Sequence, residues 1–351
     1  MERVLTLREL NRATLARQLL LSRSPVSVPR AIERVCALQA QWPTAPYVGL
    51  WSRVRDFDRA ALTRALEERR VLRSTLMRVT IHMVSARDAL ALAPLWQAWR
   101  RETLERAGVD VDAAERALRR ALANGPRAQA ELRRELGDAY SLRVGPVLLL
   151  AHVPPAGGWR HHGRTRLVEA ESWLGARFGD PADGARLLVE RYLAAFGPAS
   201  RADLVRFSGL RVKDVAPGID ALEHRLRRFR DDDGRALLDL AGAPLPRGDT
   251  PVPPRFLGRW DNTILGYERR ARILPDAFAD RKIGLAGDQV VLVDGFVAGI
   301  WRVERTGSEA RLTIEALAPI RAAARREVEN EASALVRWHE PDARNHVVRW
   351  S

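Results

Sequence analysis

At 351 residues, 46% hydrophobic and 29% charged, the chain is long enough for two or three domains and reads as soluble and globular. It has no run of about 18 apolar residues to span a membrane, and "MERVLTLREL" at its start lacks the basic-then-apolar order of a secretory signal. Its single cysteine, Cys36, excludes internal disulfides and Cys-based zinc or iron–sulfur centres, so a cytoplasmic protein is expected. Lys plus Arg total 58 against 44 acidic residues, a net charge of +14, and only Lys213 and Lys282 are lysine. Such a field attracts polyanions such as nucleic acid, although arginine in place of lysine also follows from GC-rich coding.

The N-terminal hundred residues pattern as helices near 6–21, 29–39 and 58–70, followed by strands within "LRSTLMRVTIHMV". Ile32, Val35 and Cys36 mark a buried helical face, and the next position on that face is Gln39, an amide. Gln41 follows, and Trp42-Pro43 then ends the helix, because proline disfavours helical geometry in the residue before it. Two readings stay open. The amides could cap the helix end and hold the Trp42-Pro43 turn. If the chain leaves helical geometry after Leu38, they could instead point to one side, as strand residues two apart do, and grip a water or a substrate's polar edge. A buried amide left unpaired costs about 1–3 kcal/mol, so something must satisfy it. In "TIHM", Thr80 and His82 share one strand face, and His82 is either structural or part of a site.

Residues 125–137, "GPRAQAELRRELG", and 197–209, "GPASRADLVRFSG", form an internal repeat. Each copy follows an apolar helical pattern, Ala114–Ala123 or Ala185–Phe196, and Gly-Pro separates that helix from the next. Ser200 is a plausible N-cap, with Asp203 completing a capping box. After the second copy come a helix candidate over 212–226, interrupted by Pro217-Gly218, and a hairpin in "RRFRDDDGRALLDL". After the first come an apolar helix, "SLRVGPVLLLAHV", and a hairpin-like "PPAGGWRHHGRTRLV". Three helices and a two-stranded wing make a winged helix. From about Pro251 the pattern changes. "PVPPRF" is linker-like, "VVLVDGFVAGIWRVE" alternates around an Asp294-Gly295 turn, "ARLTIEALAPI" is a strand, and 321–338 is a closing helix. The expected class is α+β: tandem winged-helix repeats at 1–105, 106–180 and 181–248, then a β-rich domain, perhaps a partial barrel, at 249–351.

Metal chemistry is not expected. Asp231-Asp232-Asp233 sits at a predicted hairpin tip, and His161-His162 has arginine neighbours that repel a cation. No phosphate loop or dinucleotide fingerprint occurs, so no cofactor is expected, and no Gly-x-Ser-x-Gly elbow is present. Arg160, His161, His162, Arg164 and Arg166 crowd one hairpin, which is either a solvated wing or one that grips phosphates and probes a groove. Arg201, Lys213 and Arg259 are further candidates for DNA contact.

Gln39-Ala40-Gln41 with "WPTAPYVGLWSR", "LMRVTIHMVSARD", "AHVPPAGGWRHHG", "FGPASRADLVRFSGL", "RWDNTILGYERRARIL" and "LVDGFVAGIWR" resembles the AlkZ-like DNA glycosylases over nearly the whole chain. Ala40 is small for the central hydrophobic position of that motif. Gln at 41, where another branch has Asp, resembles the branch tied to antibiotic self-resistance. The resemblance implies three tandem winged helices forming a basic cradle for double-stranded DNA, and excision of bulky N7- or N3-alkylated purines, interstrand crosslinks included. It implies Gln39 and Gln41 as the catalytic pair and the hairpin around Arg160–Arg164 as the DNA-probing element; His82 is a further catalytic candidate, and a monofunctional, monomeric enzyme is expected. A non-enzymatic winged-helix regulator, or winged helices that bind protein, are the other readings of the same elements.

Overall fold

The computed structural model describes residues 2–137 and 148–351. The chain starts with β1 (Arg3–Leu5) and α1 (Leu7–Arg17), the latter opened by a Thr6/Glu9 capping box. A first set of elements follows: α2 (Val28–Arg34), β2 (Leu38–Gln39), α3 (Ala45–Arg53), α4 (Arg59–Glu67), β3 (Val71–Thr75) and β4 (Ile81–Ser85). The long α5 (Ala86–Arg106) leads to a second set, α6 (Val111–Leu122), β5 (Arg127–Ala128), α7 (Gln129–Leu136), β6 (Leu150–His152) and β7 (Arg166–Glu169). After the short α8 (Ala170–Leu174) comes a third: α9 (Pro181–Phe196), α10 (Arg201–Ser208), α11 (Val212–Ala221), β8 (Leu226–Asp231) and β9 (Ala236–Leu240). The remainder is β10 (Arg255–Phe256), α12 (Asn262–Leu265), β11 (Gln289–Val293), β12 (Phe296–Thr306), β13 (Glu309–Ala316), α13 (Ala322–His339) and β14 (Asn345–Trp350).

The class is α+β, as the sequence pattern suggests. In each of the first two sets a two-residue strand after the first helix pairs with the last strand of the hairpin, β2 with β4 and β5 with β7. In the third, an Ala199–Leu238 bridge occupies the same place. Helix, strand, helices and hairpin in that order make up a winged helix. The Ser200/Asp203 capping box forms as its sequence predicts, with the Ser200 side chain accepting from the Asp203 amide. The first two hairpins join edge to edge, so six strands run in the order β2-β4-β3-β6-β7-β5, leaving β2 at one edge. The last hundred residues hold a five-stranded sheet, β10-β11-β12-β13-β14, against which α13 packs.

Several expectations need correction. Helix α2 stops at Arg34, not at 39: Cys36 (φ 57°) and Ala37 (φ 71°) are left-handed, and the chain then runs as strand. Trp42-Pro43 does not close that helix but precedes α3, which the apolar spacing did not reveal. Pro217 does not interrupt α11, whose Gly218 lies so close to the Ala185 carbonyl of α9 that a Cβ there would come within 2.3 Å. Leu150–His152 is a strand, not the end of a helix, and the rest of that predicted helix, up to Val147, lies outside the described residues. Residues 153–165 form a loop rather than a regular ladder. The final sheet carries an unforeseen strand, β14, and remains open with β10 and β14 at its edges. Residues at the start of the expected first unit belong elsewhere: β1 runs parallel to β8, and Arg12 of α1 ion-pairs with Asp294 at the β11–β12 turn. The Asp231–Asp233 tip is explained by its turn, since the Asp231 carboxylate accepts the amides of Asp233 and Arg235.

Two buried ion pairs tie these parts together. Arg17 of α1 grips Asp239 of β9 with both terminal nitrogens. Arg53 at the end of α3 holds Asp261 at 2.7 and 2.8 Å, both side chains essentially unexposed. Burial raises the pKa of the Asp261 carboxyl, but the adjacent guanidinium and the Thr263 amide outweigh it and leave the group below the ordinary carboxylate range. Arg53→Met strands that charge in the core, so it is expected to lower stability by about 3–5 kcal/mol, read from the midpoint of urea unfolding at neutral pH.

Candidate active site and DNA-facing loop

The left-handed pair Cys36–Ala37 turns the chain out of α2, at a cost of about 1–2 kcal/mol per residue, and delivers Gln39 to strand β2. There Gln39 lies directly opposite His82 of β4, so the two side chains share a sheet face. The Ala40 amide donates to the Ile81 carbonyl at 2.7 Å, extending the pairing past Gln39. Gln39 is only 7% exposed, whereas Gln41, two residues on, is exposed. The Gln39 side-chain nitrogen donates to the Gln41 side-chain oxygen, so the amides satisfy each other rather than a helix end. The Gln41 Nε2 makes no hydrogen bond among the described residues.

The surroundings are cationic and contain two guanidiniums without a carboxylate partner among the described residues. Arg78, in the left-handed turn of the β3–β4 hairpin, donates to Gln39 Oε1 at 3.3 Å, to Asn262 Oδ1 at 3.1 Å and to the Phe207 carbonyl. Arg73 donates to the Ala40 carbonyl at 3.2 Å and meets His152 Nδ1 at 2.6 Å. Desolvation lowers both guanidiniums to about 10, with Arg206 also pushing Arg78 down, yet both stay charged at neutral pH. His82 is fully buried. Burial first, and Arg78 second, lower it to about 3 against the opposing Thr80 carbonyl contact, so the ring is neutral. Its Nδ1 faces the Thr80 carbonyl at 2.9 Å, while its buried Nε2 has no hydrogen-bond partner. Among the described residues no group of three or more His, Cys, Asp or Glu could hold a metal ion.

Trp42, 41% exposed and next to Gln41, brings in the rest of the chain. His162 of the 153–165 loop meets its ring edge-on at 5.2 Å, and Arg259 from the C-terminal part lies over it at 5.1 Å. The loop itself is anchored by Trp159, packed against Tyr47, Trp338 and His339 with Arg59 over its ring. The other expected DNA contacts divide. Arg160 is ion-paired to buried Glu340, Lys213 to Glu102, and Arg166 donates to the Pro126 carbonyl at 2.6 Å. His161 is half-buried, its Nε2 without a partner. His162, Arg164 and Arg201 are exposed. Sequence reasoning missed Arg78, Asn262, Arg73 and His152. Arg78, Asn262 and His152 lie in motif blocks that the sequence shows, but nothing in their spacing reveals that they converge.

The AlkZ-like DNA glycosylase profile matches residues 32–338. The chain belongs to this family. A solved structure of the Streptomyces sahachiroi DNA glycosylase AlkZ superposes with a TM-score of 0.78 at 21% identity, covering 99% of this chain and 100% of that one. At that identity the likeness establishes the fold. No curated protein sequence matches the chain.

The two arginines of the loop are expected to behave differently. Arg160→Ala removes a partner of buried Glu340 while Arg305 remains at 3.6 Å, and Arg160 is 42% exposed, so a loss of about 1–3 kcal/mol is expected. Arg164→Ala should leave the melting temperature unchanged and weaken DNA binding, both checked by thermal melts and titration with a duplex.

Proposed function

We propose that this protein hydrolyses the N-glycosidic bond of bulky N7- or N3-alkylated purines in double-stranded DNA, as a monofunctional, monomeric glycosylase. The observation that carries the reading is the joined glutamine pair at a sheet edge, its outer member open to solvent, inside a family of DNA glycosylases. An N7-alkylguanine is already cationic, so its glycosidic bond breaks readily toward an oxocarbenium-like state. Little acid catalysis is needed. The remaining tasks are to hold a water at the sugar carbon and to face the developing positive charge with oriented dipoles. The Gln41 carbonyl oxygen accepts one bond from Gln39 and keeps a second lone pair for a water. An amide does this without the pull a carboxylate would exert on every purine. Gln41 is the residue that touches the water, and Gln39 holds it.

The position on an edge strand supports large lesions, interstrand crosslinks included, because access does not require the whole base to enter an enclosed pocket. Three winged helices, the first beginning only at α2, with the β-rich part at 249–351, would present Arg164, Arg201 and the His162–Trp42–Arg259 group to the duplex. The Gln-x-Gln form of the motif supports a role in resistance to a DNA-alkylating natural product.

The test is incubation with duplex DNA carrying a single N7-methylguanine. Free base and abasic sites are expected, without strand cleavage and without a protein–DNA adduct trapped by borohydride. Salt-resistant, sequence-specific binding with no base release would instead favour a regulator. Because His82 and His152 lie near 3 and Arg73 and Arg78 near 10, none of these four groups titrates in between. With DNA saturating, the single-turnover rate is therefore expected to stay flat between about pH 5 and pH 9, whereas a bell with one limb near neutrality would mean a titrating acid or base.

A further inference from the structure

Arg78 is half-buried and, like Arg73, has no carboxylate partner among the described residues. Arg17 and Arg53 are desolvated beside a carboxylate, which accounts for their burial. Arg78 is desolvated against the neutral acceptors Gln39 Oε1, Asn262 Oδ1 and the Phe207 carbonyl. A ring closes through Asn262, whose Nδ2 donates to the Ala37 carbonyl at 3.1 Å, on the left-handed residue that leads into β2. Two points on the glutamine segment, the Ala37 backbone and the Gln39 side chain, are thus held by one pair of residues. Arg78 comes from the β3–β4 hairpin and Asn262 from α12, whose first turn Asp261 caps while gripped by Arg53.

Donor–acceptor logic fixes what this pair does. A guanidinium has only donors, so the amide groups facing it must turn their oxygens toward it. Asn262 therefore shows its NH2 to the Ala37 carbonyl, which can only accept. Gln39 shows its NH2 to Gln41, which must answer with its carbonyl oxygen. The orientation of the exposed amide is set two hydrogen bonds away, at Arg78. Without Arg78, Gln39 could rotate by half a turn with little steric change and offer Gln41 its oxygen, and Gln41 would then have to present its NH2.

We propose that Arg78 and Asn262 are positioning residues that impose one amide orientation on Gln39 and, through it, on Gln41. This rests on the reading of the glutamines as the pair that holds the water. Arg78→Met removes the donors while keeping an unbranched apolar stem. It is expected to lower the single-turnover excision rate at saturating N7-methylguanine duplex on the order of 10-fold or more, and Arg78→Lys, which retains donors, should recover part of the loss. Asn262→Ala, which changes no charge, should shift the rate in the same direction. The slope of log affinity against log salt should be the same for Arg78→Met and wild type. A slope smaller by about 1 would mean that Arg78 grips a phosphate, and would overturn the proposal. So would an unchanged rate. If the wild-type protein releases no base, the catalytic reading fails by itself. A crystal structure of Arg78→Met then decides the clamp: a Gln39 amide displaced or turned from its place upholds it, and an amide left in place overturns it.

Discussion

The site depends on one register, Gln39 of β2 opposite His82 of β4. β2 is only two residues long and sits at a sheet edge, so the ladder alone holds it weakly. It is fixed by what flanks it. Behind it, the left-handed Cys36–Ala37 turn ends α2 with the Ala37 amide donating to the Ile32 carbonyl at 2.9 Å, and Asn262 seizes the Ala37 carbonyl. Ahead of it, the Ala40 amide bonds to Ile81 and its carbonyl to Arg73. A slip by one residue would send Gln39 to the other face of the sheet and break these contacts together.

A second theme is charge without acid. Two guanidiniums flank the glutamine pair with no carboxylate bonded to either among the described residues, and a neutral histidine lies opposite Gln39. Such a site suits a polyanion whose phosphates supply the missing counter-charge, and a lesion that already carries its own positive charge needs no strong acid to leave. Trp159 and the Arg160–Glu340 pair anchor the loop whose His162 meets Trp42, the residue next to Gln41.

Much of the fold was legible because its signals are local. Gly-Pro punctuation and the Ser200/Asp203 box marked the repeat, and Asp294-Gly295, both left-handed, marked the β11–β12 hairpin. The wing between β8 and β9 was read from its Asp-Gly turn. What failed depends on distant contacts. The apolar spacing through Cys36 looked helical up to Gln39, yet the backbone turns away after Val35, because tertiary partners outweigh periodicity over so short a span. Helix α3 lies buried on every side, so it showed no division into an apolar and a solvated face. Arg160 looked like a free cation, and only the fold reveals Glu340, far away in sequence, as its partner. Gln39 and Gln41 stood out as amides in an apolar frame, but Arg78 and Asn262 did not, because arginine is common in this chain and the two lie far apart in it.

The central claim is that two uncharged amides direct water onto the sugar of a damaged nucleotide. The most direct measurement compares wild type with the Gln39→Ala, Gln41→Ala double variant for release of N7-methylguanine from a duplex under single turnover, with duplex affinity measured alongside. Near-normal affinity with base release reduced to the spontaneous rate is the expected result. Release as fast as wild type would contradict the account.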